Sequence, residues 1–315
     1  MMKSGLWPIL FLALLLLVSC RNNVPAGDRP TDTAAALRAV QTGTQGIEIS
    51  TTPNYPPALL YDQNPLVAIL EVKNKGNYDL EAQNCIIQVT GYDPNIIGGM
   101  QSTRSCADNT GALGGKNVYN LDGGYNQIEF SSSNLNLPQG VYEYSPTLNF
   151  MACYNYHTVA SPSICVDPLL YQVTAEQRTC NPTDVILAGG QGGPVGVSYV
   201  GVDMVGKKGI FEINVRNFGS GRVLNPDTDI SNCGESSLTY QDLDRVRYNI
   251  QLSGGNLIDC KPSDGIVRLS SNQGKIVCSF DIPGGSAFET PLLIDLDYGY
   301  VQSFTKAVKI IKTPQ

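Results

Sequence analysis

The strongest constraint on this chain is a pattern that occurs twice. Leu70-Glu71-Val72-Lys73-Asn74-Lys75-Gly76 matches Ile213-Asn214-Val215-Arg216-Asn217-Phe218-Gly219. In both stretches apolar residues take every second place: Ala68, Leu70 and Val72 in one, Phe211, Ile213 and Val215 in the other. A period of two puts one face of a strand in an interior and the other toward water. The Asn-x-Gly that follows ends the strand in a turn, where glycine tolerates positive φ. Further anchors follow in the same order. Ile87-Gln88-Val89-Thr90-Gly91 matches Ile250-Gln251-Leu252-Ser253-Gly254, and Leu137-Pro138-Gln139-Gly140 matches Ile282-Pro283-Gly284-Gly285. A proline, Pro146 or Pro291, then opens a long strand that ends in Tyr154-Asn155-Tyr156 or Tyr298-Gly299-Tyr300. Asn74 lies 80 residues before Tyr154, and Asn217 lies 81 before Tyr298. Spacing kept over so many anchors marks an internal duplication.

Strand-sized runs punctuated by Gly, Pro, Asn and Asp predict antiparallel sheets throughout. A copy of roughly 110–125 residues suffices for a two-sheet sandwich with its own core. The expected architecture is all-β: two tandem immunoglobulin-like antiparallel sandwiches at residues 46–171 and 196–315, joined by a Gly-rich linker at 172–195. In that linker Gly189-Gly190-Gln191-Gly192-Gly193-Pro194 reads as a bendable joint. The order strand, Asn-x-Gly, strand, Leu-Pro-x-Gly, strand resembles the CARDB-type and related immunoglobulin-like modules of prokaryotic surface proteins. The entry Thr42-Gly43-Thr44-Gln45-Gly46, with the paired Cys-bearing strand, is similar to secreted proteins of archaea. These resemblances imply a spacer, an adhesion unit or an assembly subunit, and no enzymatic activity.

At the amino terminus, Lys3 precedes a run of 13 uncharged residues from Leu6 to Val18. As a helix this run spans about 20 Å, short of the roughly 30 Å of a bilayer's hydrocarbon. It therefore reads as a signal segment and not as a permanent span. Leu17-Val18-Ser19-Cys20 resembles the lipobox of bacterial-type lipoproteins, which implies thioether lipidation of Cys20 and cleavage before it. Residues 1–20 are then a lipoprotein signal peptide, and residues 21–45 a polar tether on the outer side of a membrane. Within the tether, Thr33 to Gln41 is expected to be helical, capped by Thr31 or Asp32 and stopped at Gly43.

Eight cysteines follow Cys20, an even number that in an exported chain points to disulfides. Local spacing suggests Cys85–Cys106, Cys153–Cys165 and Cys260–Cys278, leaving Cys180 and Cys233 for each other. That is one arrangement among many. There is no Cys-x-x-Cys or Cys/His cluster of the kind that holds zinc. Asp227 and Asp229, near Asn225, could offer oxygens to calcium, but a hydrogen-bonded turn explains them as well, and the EF-hand spacing is missing. No phosphate loop or dinucleotide fingerprint occurs, so no cofactor is expected. A net charge of −7 without a basic stripe excludes nucleic acid as a partner class.

The one histidine, His157, would have to serve any catalytic triad, yet the chain has no Gly-x-Ser-x-Gly elbow. It reads as a turn or surface residue. The expectation is a non-enzymatic, lipid-anchored surface protein that binds a protein partner or assembles with itself. Its contacts would come from loops or from an exposed strand edge. Asn95, Ile96, Ile97 and Met100 form one candidate contact segment, which reads equally as a loop folded over the core. Tyr154 and Tyr156 form a second, whose alternation on terminal strands reads more readily as half-buried sheet positions. Two other readings stay open. A carbohydrate- or cell-wall-binding module would stack sugars on tyrosines, and an exported hydrolase would use a dispersed carboxylate pair.

Overall fold

The structure, a computed structural model, describes residues 33–172, 177–188, 190–234 and 238–314. Cys20 and its signal segment lie outside the described residues. Among the described residues there is one α-helix, Thr33–Val40. It closes with Gln41 N–H donating to the Leu37 carbonyl, and Gly43 follows at φ 115°. The chain from Leu37 onward is one compact unit built from several sheets. Among the described residues no helix is long and apolar enough to cross a membrane.

The period-two stretches form strands as their alternation requires. Leu66–Asn74 alternates buried and half-buried positions along its whole length, and Lys208–Asn217 does nearly the same. In the first copy, Leu66–Asn74 lies between Ile47–Thr51 and Tyr125–Ser132. In the second, Lys208–Asn217 lies between Val195–Val205 and Gln273–Asp281, and that sheet gains two outer strands, Val185–Ile186 and Asn256–Lys261.

The other layer belongs to both copies at once. Its centre is a pair of long strands, Thr147–Ala160 and Phe288–Ala307, antiparallel in unbroken register from Thr147↔Ala307 to Ala160↔Ile294. Cys85–Thr90 flanks this pair on the first-copy side and Arg245–Leu252 on the other. The Phe130 and Phe150 rings meet at 6.2 Å between the first copy's own sheet and this shared one, and Phe150 stacks on Phe304 of the second copy at 5.3 Å. The last strand, Lys309–Ile311, runs parallel to Leu59–Tyr61 and antiparallel to Glu143–Tyr144, so the end of copy two is bonded into copy one.

Here the architecture departs from two sandwiches with separate interiors: one continuous apolar core runs through both copies. The cause lies in the long strands, which outrun the partners supplied by their own copy. Left alone, each would expose a row of unpaired backbone groups, and pairing with each other removes both edges. The Gly-rich joint is likewise built in. Gln191, Gly192 and Gly193 are buried, and a Cβ on Gly193 would sit 2.9 Å from the Tyr298 hydroxyl and 2.8 Å from the Tyr156 ring. Glycine serves close packing here, not bending.

Four disulfides form among the described residues: Cys85–Cys106, Cys260–Cys278, Cys153–Cys233 and Cys165–Cys180. Such a set belongs to an oxidising, extracytoplasmic environment. The last two correct the expected Cys153–Cys165 and Cys180–Cys233. Cys153 stands opposite Val301 and Cys165 opposite Glu289 on the same partner strand. A separation of 12 residues along a strand is about 40 Å, so no hairpin brings these two together. Cys153 instead points to the far face of the shared sheet. There a segment around Cys233 that the first copy lacks, an insertion of the second copy, packs Ile230 and Cys233 against Met151 and Leu224.

Candidate functional site

Tyr154 and Tyr156 alternate on one central strand, Tyr298 and Tyr300 on the other, so all four side chains share one face. The register sets Tyr154 opposite Tyr300 and Tyr156 opposite Tyr298. All four are buried, and their hydroxyls bind main chain. Tyr154 accepts from Ile47 N–H at 3.3 Å and Tyr298 from Val195 N–H at 3.2 Å, so each pins the first strand of one copy. Tyr156 accepts from Tyr78 N–H at 3.3 Å and donates to the Gly192 carbonyl at 2.8 Å. Tyr300 accepts from Gly221 N–H at 2.8 Å and donates to Asn217 Oδ1 at 3.1 Å. The turns they hold are copies of each other. Asn74 Nδ2 reaches the Tyr78 carbonyl and Asn217 Nδ2 the Gly221 carbonyl, while each Oδ1 accepts from the glycine two residues on. Burial pushes the phenols of Tyr154, Tyr156 and Tyr298 far up and that of Tyr300 up to about 12. They stay neutral and serve as structural donors and acceptors.

This joint positions an open strand edge. In an antiparallel ladder a residue's N–H and C=O point to one side, and the side alternates along the strand. On Ile47–Thr51, Glu48 and Ser50 face Lys73 and Glu71 of the neighbouring strand. The flanking bonds, Lys75 N–H to the Gly46 carbonyl and Thr52 N–H to the Ile69 carbonyl, fix that phase. Ile47, Ile49 and Thr51 therefore face outward. Ile47 is satisfied, its N–H by Tyr154 and its carbonyl by the Gln302 amide. Among the described residues, Ile49 and Thr51 have no partner for these groups.

The second copy closes the same edge. Val195 matches Ile47 and bonds Tyr298. Val197 matches Ile49 and is held at both ends by the Gln191 side chain, N–H to Oε1 at 2.9 Å and Nε2 to carbonyl at 3.2 Å. Past a bulge, Val200 matches Thr51 and pairs with Val185 of the short outer strand, and Leu187 N–H donates to the Ser198 carbonyl at 3.0 Å. Among the described residues, copy one has no matching glutamine and no outer strand. Beside its edge lies a cleft of about 360 Å³ between Ile47 and Ile49 on one wall and Phe218, Ser220, Gln302 and Phe304 on the other. A hollow of about 610 Å³ on the opposite face of the shared sheet, beside Met151 and Cys233, contains Arg222, which Asp244 holds at 3.4 Å.

The residues singled out from sequence are placed otherwise. Tyr154 and Tyr156 are interior and offer no contact surface. Ile96 and Ile97 are buried as well, because both N–H groups fold back onto the Asp93 carbonyl and Ile97 pairs with Leu135. Met100 is half-buried against the core, and Asn95 alone is exposed, tied to Asp93. Asp227 grips Arg247, and Asp229 accepts from Ser231 to cap a 3₁₀ turn. Among the described residues no cluster of three or more metal-ligating side chains occurs. His157 lies on the exposed face of the central pair, with Nδ1 at 2.7 Å from Asp297 and Nε2 at 3.7 Å from Asp295. The bond to Asp297, with the charge of both carboxylates, raises its pKa against a smaller opposing effect of burial. That favours imidazolium, the form unable to act as a general base. Ile49, Thr51, Gln191 and Gln302 were not visible from sequence. Only the offset between the copies could have found them, by setting the open edge against the closed one.

No family model and no curated protein matches the chain. Among solved structures, the secreted serine protease VesC from Vibrio cholerae is matched at 11% identity, over 83% of this chain and 51% of that one, with a TM-score of 0.20. The chain thus spans about half of that protein's length, and a likeness at that score carries no argument.

Proposed function

We propose that this chain is a lipid-anchored extracytoplasmic protein that works by binding, with the cleft beside Ile49 and Thr51 as its contact surface. In this reading Cys20 carries the anchor, residues 21–45 hold the folded part off the membrane, and the two copies are CARDB-like, immunoglobulin-like sandwiches fused along one sheet. The observation that carries it is the main chain of Ile49, which lines the cleft, and of Thr51 next along the same edge, both unpaired among the described residues where the second copy fills the matching positions. Four disulfides and the lipobox-like Leu17–Cys20 support the exported setting. Unpaired N–H and C=O groups beside apolar walls suit a polypeptide better than a sugar, which calls for exposed rings to stack on.

The test uses a photo-crosslinking residue at Ser220 in the cleft, with a control at Tyr119, which is 97% exposed and does not line the cleft. In intact membranes the cleft position is expected to yield a discrete protein adduct, and the control none. Equal labelling from both sites, or a saturable response on a glycan array, would contradict the reading. The Cys20→Ala chain should leave the membrane fraction; if it stays, the anchor is wrong.

A further inference from the structure

Taking the cleft as the binding surface, we infer that its occupant is an extended, apolar segment of a partner protein that pairs antiparallel with Ile49–Thr51 and becomes the fourth strand of the first copy's sheet. The chain supplies the template. In the second copy the matching edge already carries such a strand, Val185–Ile186 within the segment Asp184-Val185-Ile186-Leu187-Ala188, with Val185 opposite Val200 and Ile186 opposite Tyr199. Val185 and Leu187 pack against the core, while Ile186 is 80% exposed. The chemistry of the occupant follows: apolar, any residue, apolar, with the two apolar side chains turned inward.

The walls of the cleft fit that demand. Ile47, Phe218 and Phe304 provide apolar surface, and no charged side chain crosses the edge, since Glu48 at the rim is taken by Lys75 at 3.6 Å. Gln302 reaches across to the Ile47 carbonyl, so the opposite wall stands close to the edge. Ile47 is thereby occupied, so an incoming strand would pair at Ile49 and Thr51. The outer edge of the second copy's sheet, Asn256–Lys261, is unsuited to the same use. It carries a bulge between Leu257 and Asp259 and is stapled by Cys260–Cys278, devices that discourage added strands.

The probe is a capped peptide of sequence Asp-Val-Ile-Leu-Ala, titrated into the purified chain and followed by residue-resolved amide exchange. Saturable binding is expected, with exchange at Ile49 and Thr51 slowed at least about tenfold. The protein is left intact and the main chain of the peptide is varied. N-methylation at its Val and Leu, whose N–H groups face the edge, should abolish binding, and N-methylation at its Ile, whose N–H faces away, should not. Failure of the peptide to bind at millimolar concentration, or equal tolerance of all three methylations, overturns the inference. Binding that perturbs Ser220 and Ser303 without protecting Ile49 and Thr51 also overturns the strand pairing, while leaving the cleft as the contact surface. Loss of the cleft itself is read separately, from the crosslinking pattern.

Discussion

Tyr154 of the first copy and Tyr300 of the second stand directly opposite each other in the central strand pair, their ring centroids 5.6 Å apart. Each comes from one copy's terminal tyrosine pair, and together with Tyr156 and Tyr298 they form a buried aromatic quartet at the joint. The phenols reach outward from this centre to Ile47, Tyr78, Val195 and Gly221, so the first strand and the following turn of each copy hang on the same cluster.

Removing one hydroxyl should therefore cost more than its size suggests. Tyr154→Phe leaves the Ile47 N–H buried without its acceptor, and Tyr298→Phe does the same to Val195. Each is expected to lower unfolding free energy by about 1–3 kcal/mol, the penalty for an unsatisfied buried group. Urea unfolding checks this against Tyr119→Phe, which should be neutral because Tyr119 is exposed.

His157 joins the copies on the other face of the same pair. It faces Asp297 and Asp295, with the Tyr78 ring 5.8 Å away; Arg247 stands across from Asp297 but is bound to Asp227, and Asn249 bonds Asp295. Its folded pKa is raised above the ordinary 6.5. The pairing therefore contributes its full stability below about pH 6.5 and loses it as pH rises through the higher folded value. His157→Gln should melt below the parent in acid, and the gap should narrow in alkali. Melting curves across that range check the sign. A gap that widens with pH would contradict it.

Cys153–Cys233 spans 80 residues and ties a central strand of copy one to the insertion of copy two, whereas Cys165–Cys180 spans 15. Loop-closure entropy then predicts that the paired Cys→Ala variant of the longer bridge loses about 1.5 kcal/mol more than that of the shorter one. Denaturant midpoints at fixed slope measure the difference.

Much of this molecule was legible in its sequence, and the illegible part has a common cause. The alternation of Leu66–Asn74 and Lys208–Asn217, the Asn-x-Gly turns and the Tyr-x-Tyr endings all mark local chemistry, and each falls where the duplication sets it. Hidden from sequence was the pairing of one copy with the other. The strand from Pro291 reads as ending at Tyr300, yet it continues to Ala307 because Thr147–Met151 is there to bond it. Tyr154 and Tyr156 read either as half-buried sheet residues or as a contact pair because period-two alternation does not say which face is covered; Ile47, Tyr78 and Gly192 cover it. Cys153 and Cys165 look like hairpin partners by separation, while the sheet carries them about 40 Å apart. Gly192 and Gly193 look like a hinge by composition, and close approach of Asn77, Thr158 and Tyr298 is their use. The open edge at Ile49 was least visible of all, since an unpaired backbone group leaves no mark on residue identity.

The fusion of the two copies through Thr147–Ala160 and Phe288–Ala307 is what the rest of the account stands on. Native-state amide exchange across a denaturant series tests it most directly, by reporting the opening free energy of each strand. The account predicts that the amides on both sides of Tyr154 and Tyr298 merge into one opening unit, with the strands of the two copies lost in a single transition. Separate opening energies for the two copies, with residues 46–171 keeping their protection after residues 196–315 have lost theirs, would contradict it.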